Sequence, residues 1–230
     1  MKTLGLIGGM SWESTTLYYQ HINNEIKRRK GGLHSAPLIL YSVDFAEIAR
    51  LQHAGDWAAL GQKLAQIGGK LAQAGADGLI ICTNTMHYVA DEVSTVVRIP
   101  LLHIGDAIAA ACQQQEVETV GLLGTRFTME APFLRQHLHA AGLTVMTPDE
   151  QDRQRVHDVI YQELCVGYIN PDSRQQFQTI VSRLAREGAQ AVILGCTEIG
   201  LLLGAGDVEL PLLDTTQLHA NAAVDFMLAD

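Results

Sequence analysis

The chain has 230 residues, 47% hydrophobic and 18% charged, a balance that supports a buried core and excludes intrinsic disorder. Lys and Arg number 16 against 25 Asp and Glu, a net charge of −9 with His neutral. With no dense basic run, that charge argues against nucleic acid and against an anionic membrane surface as partners. No run of about 18 unbroken apolar residues marks a membrane span.

The first nine residues carry an apolar stretch too short for a signal peptide. Trp12, Glu13 and a helical pattern follow at once, so the stretch reads as a buried first strand. Further strands are expected, in chain order, over residues 37–43, 78–82, 101–104, 120–123, 143–146, 191–194 and 211–213, with the first at 3–7. Between them lie stretches such as 57–74, whose apolar residues recur at three and four. The alternation predicts an α/β fold of mostly parallel sheets flanked by helices. Fully apolar strands such as Gly78-Leu79-Ile80-Ile81 fit burial on both faces. The cysteines are Cys82, Cys112, Cys165 and Cys196. They are too few for a disulfide framework, and no CxxC pair suggests zinc. A cytoplasmic protein with reduced thiols is the expectation.

Three segments recur in the same order. Gly5-Leu6-Ile7-Gly8 returns as Gly121-Leu122-Leu123-Gly124. Gly75-Ala76-Asp77-Gly78-Leu79-Ile80 returns as Gly188-Ala189-Gln190-Ala191-Val192-Ile193. Ile99-Pro100-Leu101-Leu102 returns as Leu210-Pro211-Leu212-Leu213. The displacement is 111 to 116 positions each time. The repeat predicts two similar α/β domains, residues 1–99 plus 214–230 and residues 100–213. Ligands of open α/β sheets sit at the carboxyl ends of the strands, so a cleft between two such domains is the expected site.

The repeat aligns Cys82-Thr83-Asn84-Thr85-Met86-His87 with Gly195-Cys196-Thr197-Glu198-Ile199-Gly200 and sets Thr83 opposite Cys196. Each segment follows a strand, where backbone N–H groups can hold a carboxylate. Cys196 is the best base or nucleophile, because helix N-termini and nearby cations lower a thiol's pKa. If Thr83 faces the cleft, Cys82 faces a helix; Cys112 and Cys165 lie in helical patterns and read as inert. Asn84, Thr85, Thr125, Thr197, and Met10 with Ser11 are candidates for substrate binding. Glu198 is either a helix-start acid or the partner of an ammonium group. Gln52 and Arg50 either reach a side-chain carboxylate or form a solvated helix face. The Gly8-Gly9-Met10-Ser11 loop is no GxGxxG fingerprint, and no P-loop occurs. His137 and His139 do not share a helix face, and His87 has no evident co-ligands, so no metal is expected. His87 instead suits orienting or polarising the Thr83 segment.

The segments from Leu79 to His87 and from Ile193 to Glu198 resemble the paired signatures of the aspartate/glutamate racemase family, and Gly8-Gly9-Met10-Ser11-Trp12 resembles its amino-terminal loop. The resemblance covers essentially the whole chain. It implies a cofactor-independent amino-acid racemase acting on aspartate, glutamate or other small amino acids, without pyridoxal phosphate or metal, and assembled as a homodimer. In that family two cysteines, one per domain, flank the α-carbon; the second faces the α-proton of the L-isomer and the first that of the D-isomer. Here Thr83 stands where the first cysteine is usual, and its hydroxyl is a far weaker acid than a thiol. One cysteine also suits a malonate-type decarboxylase of the same architecture, and a threonine at the other position suits a non-catalytic amino-acid sensor.

Overall fold

The two copies of the second repeated segment, at Gly75 and at Gly188, build the same local device. In this computed structural model, which describes residues 1–229, the helix Trp57–Gln73 and the helix Pro171–Arg186 both end in a glycine with positive φ, 99° at Gly75 and 109° at Gly188. The next N–H groups, Ala76 and Ala189, return to Leu71 O and Leu184 O at 3.1 and 2.9 Å, the closing bond of a Schellman motif. The side chain two residues past each glycine then receives the start of the neighbouring strand: Asp77 Oδ2 accepts from Thr3 N at 2.7 Å, and Gln190 Oε1 from Thr119 N at 2.9 Å. The repeat is thus a bracket between one helix end and the first strand.

Two compact units result, Met1–Ile104 with the segment from His219 onward, and Gly105–Leu218. The first holds β1 (Leu4–Gly8), α1 (Trp12–Lys30), β2 (Leu38–Ser42), α2 (Phe45–His53), α3 (Trp57–Gln73), β3 (Gly78–Ile81) and α4 (Ala90–Val96). Its strands are parallel in the order β2-β1-β3. Strand side chains alternate between two buried layers. Ile7, Leu79 and Ile81 pack with Leu60, Leu64 and Ile67 of α3. Leu4, Leu6, Ile80 and Cys82 pack with Tyr18, Ile22 and Ile26 of α1 and with Ala220, Ala223 and Val224.

α5 (Ile104–Gln114) leads on to β4 (Thr119–Leu123), α6 (Arg126–Glu130), α7 (Pro132–Ala140), β5 (Thr144–Met146), α8 (Glu150–Gln162), α9 (Pro171–Arg186), β6 (Ala191–Leu194), α10 (Ile199–Leu202), β7 (Leu212–Asp214) and α11 (Thr215–Leu228). The second sheet is also parallel, in the order β5-β4-β6-β7. Phe177, Ile180, Val181 and Leu184 of α9 are buried, as is all of β6. No helix among the described residues is long and apolar enough to cross a membrane.

The strand expected over 101–104 is reduced to one bridge, Leu101 beside Leu79. Leu79 N donates to Pro100 O at 2.8 Å and Leu102 N to Leu79 O at 2.9 Å. Pro100 has no N–H to extend the ladder, and Ile104 already opens α5. Its counterpart in the second unit is β7.

Candidate functional site

In the first unit, the carboxyl ends of β1 and β3 are held by short polar side chains. Ser11 caps α1, its hydroxyl accepting from Ser14 N at 3.3 Å. Thr15 accepts from Gly9 N at 2.8 Å and donates to Ser11 O at 2.9 Å, cinching the Gly9–Ser11 loop. Ser14 Oγ donates to Cys82 O at 3.3 Å and Cys82 N to Ile7 O at 2.9 Å, so the loop after β1 and the bend after β3 are joined. Met10 and Asn84 are buried, and Thr83 and Thr85 are half-buried. Thr83 N turns back to Ile81 O at 2.8 Å, which ends the strand and starts the 3-10 turn Thr85–Val89. Cys82 points into the layer under α1, and burial pushes its thiol far above the ordinary range. Gln52 is buried on α2, whereas Arg50 is exposed; the two do not share an environment.

His87 is buried beneath this bend. Its Nε2 accepts from Ile104 N at 3.2 Å, so the ring proton sits on Nδ1, which donates to Thr83 O at 2.9 Å. Burial and the neighbouring His103 and His219 hold its pKa well below the usual imidazole value. Both nitrogens being engaged with backbone, His87 supports the Thr83 segment and has no nitrogen left to carry a proton to its hydroxyl.

In the second unit, β4 and β6 are paired and end together. Gly195 N donates to Leu123 O at 2.7 Å, and Gly124 lies so close that a Cβ on it would sit 3.2 Å from Gly195 O. Thr125 is buried and caps α6, accepting from Thr128 N at 3.4 Å. Cys196, Thr197 and Glu198 follow β6 and are half-buried. Cys196 Sγ donates to Glu198 Oε2 at 2.9 Å, and Thr197 Oγ1 donates to the same oxygen at 2.6 Å. The carboxylate is thereby turned towards the thiol. Burial first, then the charge and hydrogen bond of Glu198, raise the Cys196 thiol well above its ordinary value. The sequence predicts a thiol lowered by a helix N-terminus; here the shift runs the other way, because α10 is a single four-residue turn, too short for its dipole to offset burial beside a carboxylate.

Two aromatic residues not singled out in the sequence border this group. Tyr161 and His157, one turn apart on α8, have ring centroids 4.8 Å apart. Burial raises the Tyr161 hydroxyl, and negative charge at Cys196, Cys165 and Glu198 adds to the effect. Their i, i+4 spacing was the legible signal. Among the described residues, no cluster of three or more His, Cys, Asp or Glu has the makings of a metal site, and His137 Nε2 lies 2.6 Å from Asp106 Oδ1. None of the four cysteines is in a disulfide.

The family model for Asp/Glu/hydantoin racemases matches residues 7–223. The broad-specificity amino-acid racemase RacX of Bacillus subtilis is 25% identical over 163 residues, 70% of this chain and 69% of that protein. A crystal structure of a putative Asp/Glu racemase from Yersinia pestis is 50% identical with a TM-score of 0.96, covering all of both chains. An aspartate racemase homologue from Pyrococcus horikoshii OT3 is 32% identical with a TM-score of 0.88, again over the whole of both.

Proposed function

The chain belongs to the Asp/Glu/hydantoin racemase family and is an amino-acid racemase, and we propose that Cys196 is the base that removes the α-proton of an L-amino acid, with Thr83 serving the opposite face. The observation that carries this reading is the Cys196–Glu198 pair at the end of β6. A half-buried thiol with a raised pKa is a poor base by itself. A carboxylate already accepting its hydrogen bond can take the thiol proton as the thiolate takes the proton from the α-carbon, so one proton is relayed and no isolated thiolate persists. The carbanion places its charge on the substrate carboxylate. The Met10–Ser11 loop, Asn84 and Thr85, together with Thr125 and Thr197, are the groups assigned to hold that carboxylate and its neighbours. Inversion is completed when a proton reaches the other face from the Thr83 side. Thr83 is a weak acid, and its proton comes from solvent, since both nitrogens of His87 are occupied; Glu198 releases the proton it gained to solvent, which closes the cycle.

No step in this scheme needs pyridoxal phosphate or a metal. Purified protein is expected to lack aldimine absorbance and to keep its activity after chelation. Recovery of a lost activity by zinc would reject the scheme. The substrates assigned are aspartate and glutamate, the protein is assigned to the cytoplasm, and the assembly is assigned as a homodimer; light scattering should give twice the 25.0 kDa of one chain. The direct test is α-deuterium uptake by a panel of L- and D-amino acids in heavy water. Cys196→Ser should lower it by at least about a hundredfold, the scale of a lost general base, while Cys82→Ser should cost much less.

A further inference from the structure

We propose that His87 is a positioning residue whose neutral ring sets the register of the Thr83 backbone, so that it governs inversion of the substrate rather than its deprotonation. The inference rests on the assignment of Thr83 and Cys196 to opposite faces. Its basis is a directed series of hydrogen bonds beneath the bend after β3. The Tyr18 hydroxyl lies 2.9 Å from His219 Nδ1, and His219 Nε2 lies 2.9 Å from Leu102 O. A carbonyl only accepts, so His219 carries its proton on Nε2 and receives the Tyr18 O–H at Nδ1. Two residues along, Ile104 N–H donates to His87 Nε2, and His87 Nδ1–H donates to Thr83 O. The 102–104 segment is therefore held between two histidines of opposite tautomer, and Thr83 hangs from the second.

The geometry makes charge on His87 incompatible with the arrangement. Protonated, the ring would point an N–H at the N–H of Ile104, and that bond would be lost. The titratable groups around it are His103, with ring centroids 4.6 Å away, His219 at 5.5 Å, Tyr18 beyond His219, and the thiol of Cys82 on the neighbouring bend. Within this group there is no carboxylate to stabilise an imidazolium. A side chain at 87 must donate to one carbonyl and accept from one amide. Glutamine supplies both functions; leucine supplies neither.

The experiment follows both fates of an L-substrate in heavy water, deuterium uptake with retention and conversion to the D-isomer. Retention needs Cys196 alone, whereas conversion also needs the Thr83 side. His87→Leu is expected to lower the kcat for conversion at least about tenfold relative to retention, with KM changed less than threefold. His87→Gln is expected to return that ratio to within about threefold of the native value. A parallel measurement uses the native chain, so it stands even if the leucine variant does not fold: 15N spectra of labelled histidine at neutral pH should show one neutral Nδ1–H ring at position 87, assigned by its absence from His87→Gln. Equal losses of retention and conversion in His87→Leu, a glutamine variant no better than leucine, or an Nε2–H or charged ring at 87 would overturn the proposal. Failure of the underlying assignment looks different, because Cys196→Ser would then leave both rates intact whatever substitution is made at 87.

Discussion

Glu198 accepts two short hydrogen bonds from adjacent side chains, and this decides what Cys196 can do. Its charge raises the thiol's pKa, yet its lone pair is the nearest acceptor for the thiol proton. These two roles separate in Glu198→Gln. Removing the charge should let the thiol ionise more readily, so alkylation of Cys196 by iodoacetamide near pH 8, followed by peptide mass spectrometry, should speed up threefold or more. Removing the acceptor should lower α-proton exchange about ten- to a hundredfold. A variant in which both rise would show that Glu198 only restrains the thiol. Thr83 yields a second prediction at this scale. A hydroxyl is a far weaker base than a thiolate, and each tenfold loss of rate is about 1.4 kcal/mol of barrier. Initial exchange should be faster from L-aspartate and L-glutamate than from their D-isomers, and Thr83→Cys should raise the D-rates more than the L-rates. Free enantiomers have equal energy in water, so the asymmetry must lie in kcat and KM together and leave the equilibrium unchanged. Equal native rates, unmoved by Thr83→Cys, would remove Thr83 from the mechanism.

The elements that carry these residues are anchored by the repeated helix-to-strand bracket. A Cβ at Gly75 or Gly188 would meet nothing within 4 Å, so replacing either glycine by alanine tests backbone conformation alone. Left-handed backbone costs an L-residue about 1–2 kcal/mol, and Gly75→Ala and Gly188→Ala should each lower stability by about that amount in urea titrations. Gly8 is a different case. A Cβ there would lie 2.5 Å from Thr15 Cγ2 and 2.8 Å from its Oγ1, and Thr15 cannot withdraw without releasing Gly9 and Ser11. Gly8→Ala should therefore reduce substrate affinity as well as stability, whereas the two left-handed sites should reduce stability only. KM for L-aspartate in the three variants distinguishes the two mechanisms.

For the whole molecule, the shifted groups set stability against pH. His87 and His157 have folded-state pKa values below their ordinary value of about 6.5. Below that value the unfolded chain binds protons that the native chain does not, so stability is full above it and is lost as the pH falls. Buried His87 contributes up to about 1.4 kcal/mol per pH unit in that window, and the partly exposed His157 contributes less because solvent screens it. At lower pH the carboxylates follow. Glu25, held down to about 2 by Arg28 and Arg29, loses its contribution between about 4.5 and 2, although its exposure and solvent screening keep that contribution small. On the alkaline side the sign reverses. Cys82, Cys112, Cys196 and Tyr161 have raised pKa values, so stability should fall as pH rises past the ordinary thiol value of about 9. Urea midpoints between pH 7 and 5 should fall in the native protein and fall less steeply in His87→Gln. An identical slope in both would show that His87 takes up protons in the native state just as it does in the unfolded chain.

Residue type and spacing were enough to reveal two similar α/β halves, because buried parallel strands must be apolar on both faces and helix ends need glycine where φ is positive. Both constraints leave marks in residue type and spacing, and Gly75, Gly188 and their neighbours carried them. The sequence also located the polar segments, since Thr83 and Cys196 each follow a strand at a matched distance. The strand at 101–104 was overestimated because a ladder's length depends on partners, and there Pro100 and the start of α5 leave room for one bridge. The chemistry of single groups emerges from the three-dimensional arrangement. Whether Glu198 faces solvent or Cys196 depends on a side-chain rotation at the residue preceding a four-residue turn, and the thiol's pKa follows from that rotation and from burial. The tautomer of His87 depends on an amide 17 residues away at Ile104, and that of His219 on a carbonyl 117 residues away at Leu102. Hydrogen-bond direction is set by which groups meet in space, and no local pattern of residue types encodes it.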